Sequence, residues 1–318
     1  MSPKKSPHHS SGLKQLLGFS CLLVICSGCS VRQFAVNQIG NALAKTGTTF
    51  TSDDDPELVA QALPFGLKLM ESVLAETPEH EDLLLATSKG YTQYSYAFVY
   101  LDAVKLREDD YYKARKMELR SKKLFLRARE YGLRGLEAKS PGFRAALNSN
   151  PKEAVQRVDE NSMGMMYWTA ASWAGAINAD KTDAYLMADL PKIDALLDRM
   201  IELDEAYENG AIHSLLISLE MVRLAREGNP EDRAYKHFQD AVELSGGQDA
   251  GPYVSYATAV CVPTERRDEF IQYLNTALSI DPYEKPELTL TNFLMQEYAQ
   301  WLLDHEDNFF LPPLELIN

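Results

Sequence analysis

Apolar residues recur at three- and four-residue steps along most of this chain, and no run alternates apolar with polar residues between turn signals. The first pattern belongs to helices that turn one face inward. The absence of the second leaves nothing from which to build a sheet. Over 230–244 the apolar set is Ala234, Phe238, Ala241, Val242 and Leu244. Over 264–280 it is Phe270, Ile271, Leu274, Ala277, Leu278 and Ile280. The expected fold class is all-α.

These two stretches repeat each other. A shift of 36 residues lays Phe238 on Leu274, Ala241 on Ala277, Val242 on Leu278 and Leu244 on Ile280. The second copy ends in ALSIDP (Ala277 to Pro282), which resembles the end of the second helix of a tetratricopeptide repeat. A small Ala lets helices approach closely, and Pro cannot continue the helix before it. Looser copies end at Met200–Glu205 and Val73–Pro78, and fresh amphipathic helices are expected over 80–103, 207–227 and 285–304. The segment 105–180 breaks the pattern with a long basic helix near 110–139, a turn at Pro141–Gly142, a short helix near Pro151 and an alanine-rich aromatic helix. The expectation is a set of degenerate tetratricopeptide-like hairpins around a central helical element.

The N-terminus reads as a targeting segment. Lys4, Lys5 and Lys14 precede an 11-residue apolar run, Leu16 to Cys26, which is too short to span a bilayer but suits a signal peptide. Ser27, Gly28 and Cys29 follow, and this ending resembles the lipobox of bacterial lipoproteins. The resemblance implies cleavage after residue 28, acylation of Cys29, and a mature domain over 29–318. Ser30, where an Asp would signal inner-membrane retention, implies an outer-membrane anchor facing the periplasm.

Without those three lysines the remainder carries 29 basic and 46 acidic residues, a net −17 against −14 for the whole chain. So acidic a surface argues against a nucleic-acid partner. Cys261 has no partner if Cys29 is acylated, so the fold is expected to hold by helix packing without disulfides.

Several local features admit two readings. Asp53-Asp54-Asp55 suggests a calcium loop but lacks its glycine and distal glutamate, and reads as a helix start with Asp55 as N-cap and Pro56 in the first turn. Tyr91, Tyr94 and Phe98 share a helix face, and tyrosine suits either a cavity wall or a core rim. Met163 to Ile177 carries no charge, so it is expected to be buried nearly all round. Its small residues serve either tight crossings or a ligand, and Trp168 joins Tyr91, Tyr94 and Phe98 as a cavity-wall candidate. From Lys105 to Arg134 stand 11 basic and 5 acidic residues. They form either a dock for an acidic partner or a solvated face paired with the chain's own acids. His80, His213, His237 and His305 are widely spread, and no HxxxH, GxSxG, P-loop or paired-cysteine motif occurs. No catalytic residue, metal ligand or cofactor is expected.

Taken in order, several strings resemble the T component of tripartite ATP-independent periplasmic (TRAP) transporters. They are Gly28-Cys29-Ser30, DDDPELVAQALPFGLK (Asp53 to Lys68), PEHEDLLLATSKGYTQYSYAFV (Pro78 to Val99), YWTAASWAGAI (Tyr167 to Ile177), GAIHSLL (Gly210 to Leu216), HFQDAVELSGGQDAGPYVSYA (His237 to Ala257) and ALSIDP. The resemblance implies a periplasmic lipoprotein, not an enzyme, that assembles as a homotrimer and pairs with the transporter's solute-binding protein. It also implies an apolar cavity or pore for a hydrophobic, carboxylate-bearing ligand. A scaffold lipoprotein without a ligand is the alternative.

Overall fold

The computed structural model describes residues 36–45, 47–223 and 226–311. Among them no strand occurs, and the all-α expectation holds. The first long helix, α1 (Pro56–Glu76), starts as the sequence implies: Asp55 accepts the Leu58 N–H at 2.9 Å, with Pro56 in the first turn. A solvated helix start with its own cap accounts for the aspartate run. Val59, Leu63, Leu67, Met70 and Leu74 face inward. A second stripe on α1, Leu58, Ala62, Phe65 and Leu69, faces outward, with Phe65 75% exposed. This helix alone among the described residues is long and apolar enough to cross a membrane by composition, because it is apolar on both sides.

Helix α2 (Glu81–Ser95) does not run on regularly to residue 103. It passes through a π-helical turn, Tyr96–Tyr100, before resuming as Leu101–Leu106. The Leu101 N–H bonds the Tyr96 carbonyl five residues back, which widens the helix by one residue. The basic helix α3 (Tyr111–Lys139) and the uncharged α4 (Met163–Ala179) pack along each other, and α4 also meets α2 and α5 (Leu190–Asp204). The small residues of this region serve a tight crossing. A Cβ on Gly135 would stand 2.1 Å from Met165 Cε, and one on Gly132 equally close to Thr169 Oγ1. Trp173 is buried in this core as its apolar setting requires.

The second half comprises α6 (Tyr207–Glu220), α7 (Pro230–Leu244), α8 (Ala250–Tyr256, prolonged by a π turn Ala257–Cys261), α9 (Arg267–Leu278) and α10 (Thr289–Asp304). Helix α6 is shorter than the expected 207–227. Glu208, Asn209 and Gly210 hold left-handed backbone at its start, and the helix ends at Glu220. Gly210, at φ +87°, lies where a Cβ would be 3.0 Å from Leu244 Cβ, so the turn lets α6 press directly on α7. The 36-residue repeat is visible in burial: Ala241 and Ala277 are both fully enclosed, and Phe238 and Leu274 both face inward.

Two large apolar clusters result, one centred on α3, α4 and α5, the other on α7 to α10. They meet at α6, which gives Leu216 to the first and Ile217 to the second, and at α2, where Tyr96 and Tyr100 pack against both. Most of the cations of 105–134 are taken up within the chain. Lys105 pairs with Glu297, Arg107 with Glu118, Arg115 and Lys122 with Asp180, Arg127 with Glu71, and Arg129 with Asp189. The basic face is therefore largely an internal partner for the acidic remainder.

Candidate functional site

Three of the four aromatic candidates come together. Tyr91, Tyr94 and Phe98 join Leu63, Leu67 and Ala128 in a small cluster between α1, α2 and α3. Tyr91 is 3% exposed, and its ring stacks on Tyr131 at 6.2 Å. The rim is cationic: Arg127 lies 5.5 Å from the Tyr91 ring and Arg120 5.9 Å from that of Tyr94. Tyr131 donates to Glu71 Oε1 at 2.9 Å. Trp168 lies elsewhere, edge-on to Tyr167 at 4.9 Å, with Lys89 Nζ 5.2 Å from its ring.

Sequence reasoning missed a second set of phenols, at the seam between the two large clusters. The π turn carries Tyr96 and Tyr100, whose rings stack 6.2 Å apart. Burial pushes both hydroxyls above the ordinary phenol range, and does the same to Tyr298 of α10, where a charge on either would also be felt. The Arg107 guanidinium, which pairs with Glu118, is near enough to Tyr100 to offset part of that rise. Against the first cluster alone, Tyr167 and Tyr207 pack at 5.8 Å, both again raised by burial. The Asp249 carboxyl is pushed up by the same loss of water, although it accepts the Gly251 N–H at 2.8 Å.

Yet Tyr96, Tyr100, Tyr167 and Asp249 are only half-buried. Each thus keeps some accessible surface in surroundings that are poor in water. Because the phenols stay protonated at any physiological pH, they offer O–H donors to a polar ligand head while their rings offer apolar walls. The signal in the sequence was the tyrosine density after Gly90. The extra residue of the π turn, which re-aims Tyr96 and Tyr100, was not visible there.

The sequence model of the TRAP transporter T-component matches residues 52–310. The chain belongs to the TRAP transporter T-component family. An uncharacterized protein of Treponema pallidum (strain Nichols) is 30% identical to it over 310 residues, which cover 92% of this chain and 95% of that protein. As a T-component the chain has a role in a TRAP transport system, in association with other TRAP components at the periplasm or the membrane. A T-component is part of a transporter and not an enzyme. The segment with Cys29 lies outside both the described residues and the matched span.

Proposed function

We propose that this T-component is the lipid-anchored accessory binding subunit of its TRAP system. It is held at the outer membrane through acylated Cys29, faces the periplasm and pairs with the solute-binding protein. In this reading its tetratricopeptide-like hairpins form one domain over 29–318, whose seam receives a hydrophobic ligand with a carboxylate head. The observation that carries the ligand is the pairing of desolvation with accessibility at Tyr96, Tyr100 and Tyr167. Protonated phenols backed by Arg107 are suited to receive a carboxylate, and the surrounding rings to hold an alkyl or aryl tail. Tyr91, Tyr94, Phe98 and Trp168 stand as outer-wall candidates on either side of α2. Self-association into a trimer is supported by the outward stripe Leu58, Ala62, Phe65 and Leu69. Its four-, three- and four-residue steps are those of a helix-pairing seam, here facing solvent.

Native mass spectrometry of the full chain extracted from membranes tests this reading in one experiment. The expected spectrum shows an acylated N-terminal cysteine, a threefold mass and a retained organic acid, with retention reduced in Tyr96→Phe at unchanged fold. An unmodified, ligand-free chain, or equal retention in Tyr96→Phe, counts against it.

A further inference from the structure

Three side chains outside the tyrosine set meet between α6 and α7. His213, on α6, brings its Nδ1 to 2.9 Å from the Nδ1 of His237 on α7. Asp240, one turn after His237, holds Oδ2 3.7 Å from His213 Nδ1. One donor atom from each of the three lies within 4.8 Å of the others. Two ring nitrogens and a carboxylate oxygen at about 2.0–2.2 Å from a tetrahedral zinc ion stand about 3.3 Å from one another, midway between the two observed separations. We propose that His213, His237 and Asp240 bind a divalent cation of the zinc class, with one coordination position left to water.

The surroundings favour metal chemistry over a plain histidine pair. Glu220, fully enclosed and held by Arg223 and Arg233, has Oε1 3.8 Å from His237 Nε2. That carboxylate stands on the Nε2 side of the His237 ring, away from the proposed ion, where outer-shell carboxylates sit behind metal-bound histidines, at an ionic and not a hydrogen-bonding distance. His213 is enclosed while His237 and Asp240 are half-buried, so the site has a floor and an open side. Lys236 bonds Asp240 at 2.9 Å, but it is a largely exposed side chain and can swing away when a dication takes its place. The sequence offered only the three-residue step from His237 to Asp240. His213 arrives through the pressing of α6 on α7 at Gly210.

The test is zinc titration of the tag-free, chelator-treated full chain, read by calorimetry and by metal analysis after dialysis, using the zinc ion alone as probe. The expected result is one zinc per chain, lost in His237→Ala and weakened at least about tenfold in Asp240→Asn, with His305→Ala unchanged. Cobalt(II) should give the intense visible bands of a tetrahedral site in the wild type only. His237 and Asp240 lie at the open side, so their variants are expected to fold, as circular dichroism would check. Should either unfold, the cobalt spectrum and the zinc stoichiometry of the wild type decide. Failure of the wild type to retain zinc, or equal binding by a folded His237→Ala variant, overturns the site.

Discussion

At the scale of single residues, the strongest electrostatic knot is Asp180. It accepts Lys122 Nζ at 2.8 Å, Arg115 Nη2 at 2.9 Å and Thr182 Oγ1 at 2.8 Å, which ties the end of α4 to the basic helix α3. Lys122, then Arg115, hold its carboxyl far below the usual carboxylate range. A carboxyl whose folded pKa lies below its unfolded one contributes stability above the unfolded value, and that contribution is lost as pH falls below it. Asp180→Asn is therefore expected to destabilise the protein by about 1–2 kcal/mol at neutral pH, the figure being reduced because both cations reach solvent. The gap from wild type should stay level between about pH 5 and 7 and close below about pH 4. Thermal unfolding across that range measures it, and a gap that widened in acid would remove the assignment. The same logic reads the basic face as a whole: a run of like charge on one helix says little until the acids opposite it are known.

At the scale of elements, the helix positions were legible because their determinants are local. Caps, proline at first turns and apolar steps of three and four placed α1, α3, α4, α7, α9 and α10 within a few residues. Ala277 shows why the repeat was legible too: it is fully enclosed against α10, where Gln296 Nε2 reaches the Ala277 and Ile280 carbonyls at 3.0 and 2.6 Å. Ala277→Leu should cost about 1–3 kcal/mol by overpacking. An unchanged melting temperature would show that α9 and α10 do not need that close approach. What stayed hidden was non-local or irregular. A π turn adds one residue to a helical turn without any residue that demands it, so the split between the Tyr91 and Tyr96 faces could not be read. The left-handed run Glu208-Asn209-Gly210 hid inside an apolar pattern, with only Asn209 and Gly210 as hints. Trp168, grouped with Tyr91, Tyr94 and Phe98 as a cavity-wall candidate, meets the tyrosine helix through Lys89 and stands apart from the other three.

At the scale of the whole molecule, the outward stripe on α1 is an anomaly in so acidic a chain, because Phe65 is kept in water at a position where any polar residue would serve the fold. Phe65→Glu should leave stability within about 0.5 kcal/mol of wild type, as for an ordinary surface change, while converting an assembled form to monomer in sedimentation velocity. Assembly unaffected by the charge would place the contact elsewhere. The division into two cores carries a different lesson. Each half is packed on its own account, and they share α2 and α6 as common walls. The irregular turn at Tyr96–Tyr100 sits where both cores meet, so a substitution there is felt by two packed interiors at once.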